Sequence, residues 1–295
     1  MDMKVRDVTY QSGDGLDLYA RIRGDDAQPV TALCMHGLTR NHRDFDPMID
    51  ALQAAGAPCR FVSPDVRGRG RSQWDPDPSR YTPAVYGADM VRLMDRLGID
   101  RAVLVGTSMG GIMSMVLGQL APEKIAAVAL NDIGPRIDEA GLDRIRSYVG
   151  GTPVHTDWRA AAQAVADVNA DAFPDFDDSD WLAFARRLCR ETPEGGVVAD
   201  YDPAISGTFA PTETAAQQEA VAWGLFDDLS YCPMLIIRGE LSDILSEETA
   251  LQMQEHHGDA RIVRVPRRGH APILDEPPAV AALLDLIERV RAEQS

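Results

Sequence analysis

Short apolar runs that alternate with amphipathic segments constrain the fold of this 295-residue chain more than any other feature. Each run ends at glycine, proline or polar residues, and segments with apolar residues at helical spacing lie between the runs. The runs are VTALCM, CRFVSPD, AVLVG and IAAVALN in the first half, and MLIIRG and RIVRVP near the end. Because parallel strands need crossover helices and are buried on both faces, the pattern predicts a mostly parallel sheet flanked by helices.

The alternation is interrupted between residues 134 and 226, a stretch that is polar, helix-forming and rich in aspartate. At the start of the chain, alternating residues on both sides of Gly13-Asp14-Gly15 predict a β-hairpin instead. We therefore predict one α/β core formed by residues 1–133 and 227–295. Residues 134–226 are predicted to form a helical lid inserted between two strands of the same sheet.

The charge balance restricts the partners of the chain. Lys and Arg total 29 and Asp and Glu total 46, for a net charge of −17. Nucleic acid is a poor partner for such a chain, because phosphate binding requires a basic face. No apolar stretch approaches the roughly 20 residues of a membrane helix, and the N-terminus lacks an apolar signal core. We expect a cytoplasmic protein with a small-molecule partner, and both monomer and homodimer stay open.

A possible nucleophile lies in the sequence Gly106-Thr107-Ser108-Met109-Gly110. The motif directly follows an apolar run and directly precedes a helical segment, which is the setting of the G-x-S-x-G nucleophile elbow. Such a turn presents the serine hydroxyl at a helix N-terminus, where backbone N–H groups favour developing negative charge. The structural alternative is that Ser108 only caps the helix that follows.

A serine nucleophile needs a base, and the base needs a carboxylate that orients it. His270 lies in RRGHAP, between the last apolar run and the final helical segment, and is our predicted base. Asp243, in the loop after MLIIRG, is our preferred carboxylate, and Asp132 and Glu240 are the alternatives. The resulting chain order of serine, acid and histidine is that of the α/β-hydrolase triad.

Acyl transfer also needs hydrogen-bond donors for an oxyanion. The stretch CMHGLTRN places a glycine turn directly after an apolar run. We predict that the backbone N–H groups of Leu38 and Met109 form the oxyanion hole. His36 is predicted to brace the turn by hydrogen bonding, and His36 and Gly37 are assigned to the border of the substrate pocket.

The motifs HGLTRN, DVRGRGRS, GTSMGG, RGELSD and RRGHAP occur in this order, and together they resemble the α/β-hydrolase superfamily. Within it, the chain resembles small bacterial serine hydrolases and esterases with a helical lid. The resemblance implies hydrolysis of a small carboxylic ester or lactone through an acyl-enzyme, with no metal and no organic cofactor. Ser108 stands where dehalogenases and epoxide hydrolases of this fold carry an aspartate.

The alternative function is that of a carbon–carbon bond hydrolase acting on a ring-cleavage product of the meta-cleavage type. Such enzymes usually carry a tryptophan after the catalytic histidine, and here Ala271 follows His270.

Two further groups of residues are assigned through the same resemblance. In DVRGRGRS, residues Asp65, Arg67 and Ser72 are predicted to pin the loop near the pocket as structural residues. The predicted lid contains Trp158, Trp181 and Trp223. These tryptophans either line an apolar acyl pocket or pack the lid onto the sheet, and the sequence leaves both possibilities open.

Overall fold

The computed structural model describes residues 4–209 and 215–294. The strands are β1 (Val5–Gln11), β2 (Asp17–Arg23), β3 (Val30–Met35), β4 (Cys59–Asp65), β5 (Ala102–Thr107), β6 (Ile125–Asn131), β7 (Cys189–Glu191), β8 (Val197–Ala199), β9 (Met234–Gly239) and β10 (Ala260–Val265). The α-helices are α1 (Asp46–Ala54), α2 (Pro83–Leu97), α3 (Met109–Leu120), α4 (Glu139–Tyr148), α5 (Trp158–Asn169), α6 (Asp178–Leu188), α7 (Ala215–Asp227), α8 (Glu247–His257) and α9 (Pro277–Glu293).

Eight of these strands form one sheet in the order β1-β2-β4-β3-β5-β6-β9-β10. The first two strands form the predicted antiparallel hairpin, and β2 pairs antiparallel with β4. All remaining neighbours in the sheet are parallel. The prediction of a mostly parallel, helix-flanked sheet is therefore confirmed.

The core lies in two apolar layers, one on each face of this sheet. Leu104 of β5 faces the layer that contains buried residues of α2, α3 and α8. Its neighbours Val103 and Val105 face the other layer, against α1 and α9. Successive side chains of a strand point to opposite faces, so a strand covered on both sides must be apolar throughout. This is why the central strands are visible in the sequence as continuous apolar runs.

The interval between β6 and β9 contains an insertion made of α4, α5 and α6 and a small hairpin of β7 and β8. The hairpin is absent from the sequence prediction because each of its strands has only three residues. The helix α7 then returns the chain to the sheet and packs against α3. Within the described residues, none of the helices combines the length and apolar character that crossing a membrane requires.

Candidate active site

Ser108 stands at the sharp turn between β5 and α3. Its backbone has φ 51° and ψ −114°, a conformation that is strained for a residue with a side chain. The Ser108 hydroxyl makes no capping hydrogen bond to the helix backbone, although Ser108 precedes the first helical residue. The alternative of a simple helix cap is therefore wrong, and the hydroxyl is free to bond elsewhere.

Two glycines of the motif allow this turn to pack closely. A Cβ atom added to Gly106 would lie 2.4 Å from the carbonyl oxygen of Gly110. A Cβ atom added to Gly110 would lie 1.9 Å from the carbonyl oxygen of Met35 in β3. Both distances are far below van der Waals contact, so only glycine lets the start of α3 rest on the strand ends.

His270 connects Ser108 to a buried carboxylate. Its Nε2 atom lies 2.9 Å from the Ser108 Oγ atom, and its Nδ1 atom lies 2.9 Å from Oδ2 of Asp132. A carboxylate accepts, so Nδ1–H donates to Asp132 and leaves Nε2 as the acceptor for the serine hydroxyl. This is the arrangement in which an imidazole removes a proton from a serine.

Asp132 directly follows the last residue of β6 and is fully buried. Besides His270, its carboxylate accepts from the Gly239 N–H at 2.8 Å and from the Ser242 hydroxyl at 2.6 Å. These donors come from the end of β9 and the loop that follows it. Three hydrogen bonds thus compensate the burial of the charge and fix the orientation of the carboxylate.

The structure corrects our preferred acid. Asp243 bonds the Arg144 guanidinium through both of its oxygens, at 2.6 and 2.8 Å, instead of bonding His270. Burial raises the pKa of Asp243, but the Arg144 cation outweighs this and holds the pKa below its usual value. Glu240, the other alternative, accepts the Arg267 N–H at 2.9 Å. From this loop it is the neighbouring side chain of Ser242, not Asp243, that reaches Asp132.

The two predicted oxyanion-hole residues lie next to the serine. Met109 is the first residue of α3, so its N–H has no acceptor within the helix. A Cβ atom added to Gly37, the neighbour of Leu38, would lie 3.7 Å from the Ser108 Cβ atom. Within the described residues, neither the Leu38 nor the Met109 N–H donates to a protein acceptor. Both amides are therefore free for a ligand at Ser108.

His36 is fully buried behind this turn. Its Nε2 atom accepts the Val66 N–H at 3.0 Å, which leaves Nδ1–H to donate to the Gly37 carbonyl at 2.7 Å. Burial lowers the pKa of His36 to about 4, so the ring is neutral at physiological pH. These contacts fit the predicted bracing role. They place the ring behind the turn, and neither His36 nor Gly37 belongs to the lining of the cavity at Ser108.

A cavity of about 310 Å³ opens beside Ser108 and is mostly apolar. It is lined by Leu38, Tyr81, Pro83, Tyr86, Ser108, Met109, Ile112, Ile133, Ile137, Leu142, Ile145, Gln218 and Ile244. Leu38 and Met109, the two predicted oxyanion-hole residues, thus share one cavity with the serine. Most of the other lining residues are branched apolar side chains, which carry no distinctive signal in a sequence.

The three tryptophans lie outside this lining, which corrects their assignment to the pocket. The Trp158 indole N–H donates to Glu191 at 2.6 Å. Trp181 packs edge-on against Phe173 and its aromatic neighbours within the insertion. Trp223, on α7, lies edge-on against Phe226. The contacts of Trp158 and Trp181 thus lie within the insertion. Packing onto the core, the other possibility that the sequence leaves open, fits Trp223, which lies against the layer that contains α3.

The three pinning residues of the loop after β4 make structural contacts. Asp65 accepts the backbone N–H groups of His42 and Arg71, at 2.6 and 2.8 Å. Ser72 donates to the Asp65 carbonyl at 2.6 Å, and Arg67 is buried among three carboxylates.

No group of three His, Cys, Asp or Glu residues in the described part of the chain is arranged to hold a metal ion.

The comparison with known proteins agrees with this architecture. Residues 32–283 match the model of the alpha/beta hydrolase family, and the chain belongs to that family. A 3-hydroxybutyrate-oligomer hydrolase from Cupriavidus necator is 34% identical over 265 residues, which cover 88% of each chain. The 2-(acetamidomethylene)succinate hydrolase of Mesorhizobium japonicum is 27% identical over 81% of this chain and 80% of its own.

Among solved structures, an alpha/beta hydrolase from Novosphingobium aromaticivorans superimposes with a TM-score of 0.89 at 40% sequence identity. The match covers 98% of this chain and 100% of that one. A hydrolase from Rickettsia typhi, described as putative, gives a TM-score of 0.82 at 26% identity, over 97% and 99% of the two chains. These likenesses extend over the insertion as well as the sheet, and the protein is a hydrolase of this family.

Proposed function

We propose that the protein is a serine hydrolase that cleaves a small carboxylic ester or lactone through an acyl-enzyme. The observation that carries this proposal is the pair of 2.9 Å hydrogen bonds that joins Asp132 to His270 and His270 to Ser108. These two hydrogen bonds join a buried carboxylate, an imidazole and a strained serine. Such an arrangement activates the serine hydroxyl. The free amides of Leu38 and Met109 supply the second requirement, a place for the oxyanion.

The proposed reaction proceeds in two halves. Ser108 Oγ attacks the carbonyl carbon while His270 Nε2 takes the hydroxyl proton, and Asp132 stabilises the resulting imidazolium. The carbonyl electrons move to the oxygen, which the Leu38 and Met109 N–H groups bind. Collapse of this intermediate expels the alcohol, which receives the proton from His270. Water, deprotonated by His270, then attacks the acyl-enzyme, and the carboxylic acid leaves while Ser108 is regenerated.

The cavity at Ser108 is proposed to hold the acyl group. It contains the serine and both oxyanion-hole residues, and its apolar walls suit a short or branched hydrocarbon chain. Residues 134–226 are proposed to act as the lid of this pocket. The name of the relative from Cupriavidus necator makes short 3-hydroxybutyrate oligomers the first natural esters to test.

The test is a panel of aryl esters, 3-hydroxybutyrate oligomers, lactones and one vinylogous diketo acid, assayed with wild type and Ser108→Ala. We expect turnover of one or more esters, a loss of about 10³-fold or more in Ser108→Ala, and labelling of only the wild type by a fluorophosphonate probe. Equal labelling of both proteins would reject Ser108 as the nucleophile. Turnover of the diketo acid alone would favour the carbon–carbon bond hydrolase instead.

A further inference from the structure

Arg69 lies directly behind the proposed oxyanion hole, in the loop after β4. The residue is fully buried, at 0% exposure. Its Nε–H donates to the Leu38 carbonyl at 2.9 Å, and its Nη2 atom lies 3.6 Å from the Met109 Sδ atom. Its Nη1 group donates to the Arg67 carbonyl at 2.8 Å and to the Tyr86 hydroxyl at 3.0 Å. One guanidinium thus touches both residues whose amides face the serine.

The charge of Arg69 has no counterion among the residues that the structure describes. In residues 4–209 and 215–294, no carboxylate lies within ion-pair distance of its guanidinium. All of its acceptors are neutral: two carbonyls, one phenol and one thioether. The rings of Tyr81 and Tyr86 face the guanidinium, with centroids 5.5 and 5.0 Å away. A buried charge without a counterion costs free energy, so its retention calls for a reason other than stability.

The position of this cation supplies such a reason. In the proposed reaction, negative charge develops on the carbonyl oxygen between the amides of Leu38 and Met109. A cation held behind these residues, in a region of low dielectric constant and outside ion-pair distance of the described carboxylates, attracts that charge. We infer that Arg69 is a positioning residue of the oxyanion hole, which fixes Leu38 and Met109 and stabilises the oxyanion through its uncompensated charge.

Arg69 is buried and therefore acts without touching the substrate. It keeps its protons throughout, forms no bond to substrate and leaves Ser108 and His270 as the groups that exchange a proton. The inference rests on the proposed function, because without acyl transfer at Ser108 there is no oxyanion to stabilise. A purely structural role would instead hold the loop and the pocket wall, with equal effects on ground-state and transition-state binding.

The test compares Arg69→Gln with Arg69→Lys. Both new side chains can donate hydrogen bonds, but only lysine keeps the positive charge. Three quantities are measured: kcat and KM with the best aryl ester from the panel, and the affinity for a trifluoromethyl ketone. The ketone reports on the oxyanion hole because Ser108 adds to it and leaves an anionic, tetrahedral adduct.

We expect kcat to fall about 100-fold in Arg69→Gln and about tenfold in Arg69→Lys, with KM within about threefold of wild type in both. The affinity for the ketone should fall by the same factors as kcat. Arg71→Gln is the matched control, because Arg71 lies in the same loop but is exposed and paired with Asp7. Its kcat, KM and affinity for the ketone should equal those of wild type.

Several outcomes would overturn the inference. Wild-type kcat in Arg69→Gln would do so, and so would equal losses in both variants, which would leave no role for the charge. A change confined to KM would reduce Arg69 to a residue that shapes the pocket. If Arg69→Gln does not fold, as judged by circular dichroism, wild-type kcat in Arg69→Lys still rejects the inference. A wild type that is inert toward every ester and unlabelled by the fluorophosphonate rejects the proposed function itself.

Discussion

Arg67 and Arg69 lie two residues apart in the loop after β4, both buried, in opposite surroundings. Arg67 bonds Asp89 through two nitrogens and also bonds Asp14 and Asp75. Arg69 bonds neutral acceptors only. The first side chain ties the hairpin at the start of the chain and α2 to the loop. The second contacts Leu38 and Met109, two residues that line the cavity beside the serine.

The difference between the two arginines shows that the net charge of −17 does not determine the local electrostatic field at the candidate active site. Three carboxylates gather around Arg67, where they hold the scaffold together. Two carboxylates near Ser108 have partners of their own: Asp132 bonds His270, and Asp243 bonds Arg144. An acidic protein can therefore offer a developing oxyanion a locally positive environment.

The largest expected effect separates the two carboxylates near the site. Asp132→Asn should lower kcat about 10³- to 10⁴-fold, because an amide can neither stabilise the imidazolium nor enforce the correct tautomer of His270. Asp243→Asn should keep kcat within about tenfold of wild type, since it removes only a partner of Arg144. Steady-state kinetics on the best ester checks both variants. The reverse ranking would return the orienting role to Asp243.

The next effect contrasts the two arginines in stability. Arg67→Gln removes the guanidinium that pairs with the buried carboxylates of Asp75 and Asp89 and should lower the free energy of unfolding by about 3–5 kcal/mol. Arg69→Gln leaves no paired carboxylate without its cation. It should lower the free energy of unfolding by only about 1–2 kcal/mol, through the loss of hydrogen bonds. Urea denaturation at pH 7.5 gives both values. An equal loss of free energy of unfolding in both variants would mean that the surroundings of the two arginines differ less than their contacts indicate.

A third effect follows from His36, which is fully buried and bonds Gly37 and Val66. Burial lowers its pKa to about 4, the positive charge of Arg69 acts in the same direction, and Asp65 opposes both. Below pH 6.5 the unfolded chain binds a proton at His36, whereas the folded protein does not until about pH 4. Stability should therefore fall as the pH drops through this window, by about 3 kcal/mol in total, with no contribution above it.

The measurement is the urea midpoint of wild type and His36→Gln between pH 7.5 and 4. Glutamine does not titrate, so the variant should lose stability less steeply over this range, although it is less stable at pH 7.5. Parallel curves for the two proteins would show that His36 is not the group responsible.

The sequence predicted the sheet and the elbow because both depend on local patterns. Strands covered on both faces are continuous apolar runs, and the elbow is a five-residue motif in which Gly106 is required by a contact with Gly110, four residues away. The choice between Asp132 and Asp243 is different in kind. Both follow a strand, and which one meets His270 depends on how the loop after β9 folds back, with Ser242 turned inward. No local pattern encodes that path.

The same limit applies to the pocket and to Arg69. Tryptophan is conspicuous in a sequence, yet Trp158 bonds Glu191 in the insertion, and the walls beside Ser108 are ordinary isoleucines and tyrosines.

Arg69 belongs to the basic stretch RGRGRS, and the sequence does not distinguish the surroundings of its three arginines. Only the structure shows that Arg71 is exposed, that Arg67 is neutralised and that Arg69 is buried with no counterion among the described residues.

The smallest expected effect tests which side chains bound the acyl pocket. Trp158→Phe should leave KM for every ester within about twofold of wild type, because the indole lies outside the cavity and loses only a hydrogen bond to Glu191. Ile112→Ala is the matched change inside the lining. It should raise KM for the longest accepted acyl chain about three- to tenfold, through lost apolar contact. A larger effect on KM from Trp158→Phe than from Ile112→Ala would place the acyl chain beneath the insertion instead of against α3. Arg69 would then lie beside a cavity that the acyl chain does not occupy.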